Sequence, residues 1–417
     1  MYLILLHLNR LFCKSGIENR TDEIEASQNY TNIRMFRVGQ GPSFQPEDDL
    51  IFMRDGWTEW VDPTTEGWKY GKFIMDFSAI CFLFARGMSD HLGNKPIGLI
   101  SPSYAGTHIE AWSPPETLQT CGIEDYIDDK HDYQSNSHLY NAMIHPFHRM
   151  SIKGAVWYQG ESNSLWNTDK YGCMIRNMFR DWRNRWNQNS DTSNDFPIGV
   201  VQVGPFGNPP EPEELRKDDG NYFPLIRWLQ TMNQGFLPNS KEENAFLAIS
   251  MDTYYNGTEH PRNKQLTAER LAIAGLSVAY QKSEFPSKGP FPTNIEAVND
   301  GTHVRIRYDE DPISYSPMEN SGFFFCCGEN NSSSCQADEV VPASDWKVLS
   351  IDNVKQTQTD VINVTLPPCN GPSSLGYLWA ESPVTAINGL PIYSTNQHEL
   401  PAAPWWKLVR PKAKKCS

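Results

Sequence analysis

Ile152-Lys-Gly-Ala-Val-Trp-Tyr-Gln-Gly-Glu-Ser-Asn163 is an apolar run that stops in a knot of hydrogen-bonding side chains. Its first seven residues have the composition of a buried strand. The turn then offers Gln159, Glu161, Ser162 and Asn163, and Gly160 among them lets a ligand approach the backbone. In open α/β sheets, ligands bind at the carboxyl ends of the strands. A strand that ends this way therefore predicts both a fold class and the place where its chemistry sits.

Outward from this stretch, residues 75–283 alternate between strand and helix patterns. Phe77, Ile80, Cys81, Phe84 and Met88 share one face at helical spacing, and Pro96-Ile-Gly-Leu-Ile100 reads as a short buried strand. After the Gln159 knot, a helix is expected with Tyr171, Met174, Met178, Trp182 and Trp186 on its buried stripe. Pro197–Val203 and Ala245–Met251 read as two more strands, and Asn263 to about Gln281 as a helix. The predicted fold is α/β, a mostly parallel sheet covered by helices on both faces. Met1-Tyr-Leu-Ile-Leu-Leu-His-Leu8 is a poor signal peptide, with neither a basic leader nor a small-residue cleavage site. It reads better as a buried strand. Past Pro286 the pattern turns to β-branched and alternating runs, Ile295–Val298, His303–Tyr308 and Val361–Thr365, which predicts an antiparallel β domain. The expected division is 1–284 and 285–417, at Phe285-Pro-Ser-Lys-Gly-Pro-Phe-Pro292.

A net charge of −14 argues against a nucleic-acid partner, which needs a basic footprint. No run approaches the ~18 consecutive apolar residues that span a bilayer. Aromatic residues at 12%, including 13 Trp, suit either a large core or faces that stack on sugar rings. Cys326, Cys327 and Cys335 lie close in sequence, with Cys369 further on and no C-x-x-C pair, so disulfides are expected rather than zinc. His145 and His148 lack a third ligand and are expected to be structural.

Two further strand ends carry polar knots. After Ile100 comes Ser101-Pro-Ser-Tyr-Ala-Gly-Thr107, where the small residues Ala105 and Gly106 leave backbone N–H groups able to hold a developing oxyanion. After Met251 comes Asp252-Thr-Tyr-Tyr-Asn-Gly-Thr-Glu-His260, in which His260 is a candidate general base with Asp252 or Glu259 to orient it. Donors, a base and a carboxylate suit acyl transfer. From the residues alone, Ser103 or Ser101 is the first nucleophile to consider. The carboxylates Glu110, Glu161, Asp252 and Glu259 could instead pair for glycoside hydrolysis, but Gln159 and His260 would then be idle.

Val156-Trp-Tyr-Gln-Gly-Glu-Ser-Asn163 strongly resembles the sialate O-acetylesterases, relatives of the SGNH hydrolases with a flavodoxin-like sheet. Ile109-Glu-Ala-Trp112, Asn141-Ala-Met-Ile-His-Pro146, His260-Pro-Arg-Asn-Lys264, Ile226-Arg-Trp228 and Gly376-Tyr-Leu-Trp-Ala380 agree with it. The resemblance implies hydrolysis of O-acetyl esters on sialic acid or related sugars, without metal or cofactor, in a secreted or lysosomal setting. It makes His260 the base, Gln159 an oxyanion donor with the Ala105 and Gly106 backbone, and Glu161 and Asn163 positioning residues. The family's nucleophilic serine stands in a Gly-Gln-Ser-Asn-Met block after the first strand. Here that place falls on Leu6-His-Leu-Asn-Arg10, with Leu8 in the serine slot. The expectation is therefore a truncated or nucleophile-less member with little turnover. A protein that binds acetylated glycans is the alternative reading.

Overall fold

Six parallel strands form the centre of the molecule, in the order β2-β3-β1-β4-β5-β6. A computed structural model describes residues 2–7, 16–51, 77–207, 223–310, 312–317, 320–328, 335, 346–383 and 389–410. Along the chain the α/β layer runs β1 (Tyr2–His7), α1 (Arg20–Ser27), β2 (Ile33–Arg37), α2 (Ala79–His91) and β3 (Ile97–Ser101). It continues with α3 (Pro115–Thr120), α4 (His138–Met143), β4 (Gly154–Tyr158), α5 (Tyr171–Asn189) and β5 (Ile198–Val201). It closes with α6 (Phe223–Leu229), β6 (Ala245–Ala248) and α7 (Lys264–Tyr280).

The strand residues alternate between two apolar cores, one on each face of the sheet. Ala155 and Trp157 of β4 pack with Met174, Met178, Trp182 and Trp186 of α5. Val156 and Tyr158 point the other way, to Phe82, Leu83 and Met88 of α2 and Leu271 and Ala274 of α7. That alternation is why the strands read as continuous apolar runs: both faces are covered. The helices begin where side chains can cap them. Ser78 accepts from Cys81 N at the start of α2, and Asn263 accepts from Leu266 N at the start of α7. Among the described residues no helix is long and apolar enough to cross a membrane.

The apolar N-terminal run takes the central position. β1 pairs with β3 on one side and β4 on the other, with His7 level with Tyr158. The chain moves to one edge for β2 and β3 and to the other for β4, β5 and β6, so the strand order reverses around β1. The crevice at such a reversal is where open α/β sheets bind ligands. Among the described residues it is bordered by the segments that follow β3 and β4. The stretch after β1 that includes Leu8, in the expected serine slot, lies outside the described residues.

From Pro292 onward the described strands are antiparallel. They form the sheets β11-β10-β14-β16 and β12-β13-β8-β7 and the pair β15-β9. Their ranges are β7 Pro292–Val298, β8 His303–Tyr308, β9 Ile313–Tyr315, β10 Phe323–Cys327, β11 Trp346–Val348 and β12 Val354–Gln358. The remaining four are β13 Val361–Thr365, β14 Ser373–Tyr377, β15 Ile392–Ser394 and β16 Trp405–Arg410. We propose the domain boundary at 284/285, in the connection between α7 and β7. The apolar cluster on the α5 face runs on without a break into Val304, Leu375 and Trp405. The clustered cysteines form Cys326–Cys335 and Cys327–Cys369, and a third disulfide, Cys121–Cys173, ties the end of α3 to α5.

Candidate active site

The knot after β4 is held by its backbone. Tyr171 and Gln230 both donate to the Gln159 carbonyl, at 2.9 and 3.0 Å, and fix the chain where the strand ends. Gly160 is required beside it: a Cβ there would come within 2.6 Å of Ile226 and 2.8 Å of Val203. The Gln159 side chain is buried, and Nε2 donates to Thr107 O at 3.1 Å and to Asn163 Oδ1 at 2.6 Å. The same Asn163 oxygen accepts from Ile109 N at 2.9 Å, which fixes the orientation of both amides. Both amide hydrogens of Gln159 are thus engaged inside the protein, and the atom left without a partner is the acceptor Oε1.

Glu110 completes this chain of contacts. One carboxylate oxygen accepts from Asn163 Nδ2 and the other from Asn167 Nδ2, both at 2.9 Å. Burial pushes the Glu110 carboxyl up, against the two amide hydrogen bonds that favour its charged form. With both oxygens occupied, Glu110 is a brace rather than half of a glycosidase pair. The sequence quoted Glu110 within a motif and missed this role. The signal was available, since a Glu with apolar residues on both sides needs buried donors.

The Ala105–Gly106 loop, the expected oxyanion donor, is held by Gln134. Gln134 Nε2 donates to Gly106 O, and Gln134 Oε1 accepts from His108 N. The loop's positive φ falls on Gly106, at +71°, so Ala105 adopts a conformation that any residue tolerates. Ala105 and Gly106 are both exposed. Ser101 is buried in β3, while Ser103 is half-buried just beyond it.

The third strand end arrives through a longer loop. The His260 side chain stands 60% exposed, with Nε2 at 3.6 Å from Glu259 Oε1, and the His260 backbone N–H donates to Thr258 Oγ1. Of the two carboxylates considered as its partner, Glu259 is the one beside it. Asp252 is engaged elsewhere: Arg270 holds both of its oxygens, at 2.5 and 2.6 Å, and Tyr393 OH donates to it at 2.6 Å. Burial alone would raise the Asp252 carboxyl, but the Arg270 charge and the hydrogen bonds from Arg270 and Tyr393 hold it below the usual carboxylate range. No hydroxyl hydrogen-bonds the His260 ring among the described residues.

Glu161 interacts electrostatically with Glu259 of this loop; it is partly buried, with Oε2 enclosed and unpartnered among the described residues. Burial raises its carboxyl to about 7, and the charge of Glu259 adds to that. Its counter-charge is Lys264, lowered to about 8 by burial, whose Nζ donates to Pro261 O at 2.8 Å. His145 and His148 lie apart from the site. His145 Nδ1 meets Glu47 O at 2.9 Å, and His148 packs on Trp186.

Comparison with known proteins gives a consistent answer. Residues 42–280 match the family described as carbohydrate esterase, sialic acid-specific acetylesterase, and residues 293–409 match the sialate O-acetylesterase C-terminal domain. The sialate O-acetylesterase of Homo sapiens is 33% identical over 405 residues, which is 94% of this chain and 72% of the human one. That of Mus musculus is 33% identical over 355 residues, 76% of this chain and 63% of the relative. Among solved structures, a carbohydrate acetylesterase from Xanthomonas citri superposes with a TM-score of 0.73 at 21% identity, covering 97% of this chain and 80% of that one. At that identity it speaks for the fold.

Proposed function

We propose, from the premise that this chain belongs to the sialate O-acetylesterase family, that it is a carboxylic ester hydrolase removing O-acetyl groups from sialic acids or related sugars. The observation that carries the reading is the single buried network joining Gln159, Asn163 and Glu110 to Thr107 O and Ile109 N, directly after the Ala105–Gly106 turn, at the carboxyl ends of β3 and β4. Such a network holds donors in place before charge develops, which is what stabilises an acyl-transfer intermediate.

In this reading the N–H groups of Ala105 and Gly106 receive the oxyanion. Gln159 joins them by turning its longer bond, the one to Thr107 O, toward substrate. His260 takes a proton from the attacking hydroxyl and delivers it to the departing sugar oxygen, and Glu259 stabilises the imidazolium between those steps. Asn163 positions Gln159, and Glu161 supports the loop that carries His260. Asp252 is assigned to anchoring that loop through Arg270. Ser103 is the serine we retain as a nucleophile candidate next to the oxyanion loop.

A second reading has its own support. Leu8 stands in the family's serine slot, and no described hydroxyl is bonded to His260. A chain without its nucleophile would be a binder of acetylated glycans. One experiment separates the two: the purified full chain is incubated with an O-acetylated sialic acid, and acetate release and melting temperature are both followed. Acetate release that a fluorophosphonate abolishes supports the esterase. No release, with a melting temperature that rises with ligand, supports the binder.

A further inference from the structure

Beside the oxyanion loop stands an aromatic ledge that the acyl-transfer reading does not use. Trp166 is 36% exposed. The His108 ring lies parallel to it, with centroids 5.3 Å apart and planes 8° from coplanar. Tyr126 approaches at 5.1 Å with a 50° tilt. Leu165 and Ile127 extend the apolar surface, at 66% and 58% exposure. A single exposed Trp on a surface needs no explanation. This one is fixed to the catalytic layer, because Asn163 Nδ2 donates to Trp166 O at 3.1 Å while Asn163 Oδ1 holds Gln159. Its stacking partner is fixed too, because Gln134 bonds both Gly106 O and His108 N.

The charge around the ledge selects among occupants. Residues 124–132 carry Glu124, Asp125, Asp128, Asp129 and Asp132 against Lys130 and His131. His108 contributes no positive charge near neutral pH, since burial holds its imidazole down to about 4. A carboxylate-bearing ring is repelled by such a rim. A neutral pyranose is not: its C–H face suits an aromatic plane, and its hydroxyls can donate to carboxylates. His108 Nδ1 is buried and without a partner among the described residues, so the ledge also contains a polar atom with bonding capacity left.

We propose that Trp166, backed by His108 and flanked by Tyr126, stacks the neutral sugar next to the acetylated residue, so that the site takes a glycan rather than a free acidic monosaccharide. The proposal rests on the carbohydrate reading of the site given above, and it holds whether the chain hydrolyses its ligand or only binds it. The test is calorimetric titration of the full chain with two probes, a sialic acid glycosidically linked to a neutral hexose and free sialic acid. The wild type is expected to bind the linked form about tenfold more tightly, the effect of one stacked ring. Trp166→Ala is expected to erase that ratio, and Trp166→Phe, which keeps an aromatic face, to preserve part of it. Equal affinities in the wild type, or a ratio that survives Trp166→Ala, overturn the proposal. Should Trp166→Ala not fold, a ratio unchanged in Trp166→Phe and abolished by neither Tyr126→Ala nor His108→Ala overturns it as well. Hydrolysis of 4-nitrophenyl acetate by the wild type reports separately on the esterase reading. Turnover without a preference sinks the ledge alone, and a preference without turnover sinks the esterase alone.

Discussion

At the scale of single residues, the candidate site combines a histidine open to water with a partly buried carboxyl whose Oε2 is enclosed. His260 is well exposed, and Glu259 lies beyond hydrogen-bond reach, so their attraction is screened by solvent. In the proposed mechanism this histidine therefore acts through proton transfer rather than through a strong ion pair. His260→Ala is expected to lower kcat on an acetylated sialic acid by about 10³ or more while KM moves little. Steady-state rates of the two proteins decide it, and an equal kcat would remove His260 from the mechanism. Glu161 gives a prediction of a different kind. Its folded carboxyl titrates near 7, above the ordinary 4.5, because burial penalises the charged form. The stability it contributes is therefore full below about pH 4.5 and is lost as pH rises through about 7. Lys264 opposes this with the weakest of the named influences, so burial wins. Glu161→Gln should match the wild type at pH 4.5 and exceed it above pH 7, by up to roughly 3 kcal/mol. Denaturant midpoints across that range test the sign, and a gap that shrinks as pH rises contradicts it.

At the scale of elements, the loop from β6 to α7 carries His260 and is anchored at its base by Asp252. Arg270 of α7 and Tyr393 of β15 both hold that carboxylate. Removing a hydrogen bond to a buried charge costs about 1.5–3 kcal/mol. Tyr393→Phe should lose that much in urea unfolding, and the loss should fade as acid protonates Asp252. An equal loss at low pH would mean that Tyr393 matters only through packing. These elements also separate what the sequence could convey from what it could not. Continuous apolar runs reported β3, β4, β5 and β6 because both sheet faces are covered, and the N-terminal apolar run reported β1 by the same logic. The α5 stripe and the two ends of α7, Asn263 and Gln281, were legible because helical period and capping are local. The three polar strand ends were legible as a group, since each knot follows its own strand. The engagement of Asp252 was not, because Tyr393 lies 141 residues away. Nor was the use of both Gln159 hydrogens, which depends on how the Thr107 carbonyl meets it across two loops. The short strands of the C-terminal sheets were largely missed, since three-residue strands such as β9, β11 and β15 carry too little periodicity to read.

At the scale of the whole molecule, one side chain joins the two sheet systems at the edge of the site. Arg227 of α6 is fully buried and donates to four backbone carbonyls. Two follow β5, Val203 at 3.0 Å and Gly204 at 2.7 Å, and two follow β14, Ala380 at 2.6 Å and Glu381 at 2.7 Å. Phe206 N also donates to Glu381 O, and Trp228 packs against Trp379 and Trp406. Burial lowers the guanidinium to about 9, yet it still carries its charge at neutral pH. A lysine there has a compact head with three donors and cannot reach four carbonyls spread across two segments. Arg227→Lys is therefore expected to lose at least about 3 kcal/mol, since buried carbonyls are left without donors. The loss should have a location. With the fastener gone, the connection at 281–291 should be cut faster by protease, because the antiparallel sheets separate from the α/β layer before either unfolds. Arg183→Lys is the matched control: Arg183 is also buried, but its bonds to Phe196 O, Glu242 and Asn244 O stay within the α/β layer. It should lower stability without speeding cleavage at 281–291. Equal cleavage rates in the two variants would mean that the continuous apolar core, rather than Arg227, holds the halves together.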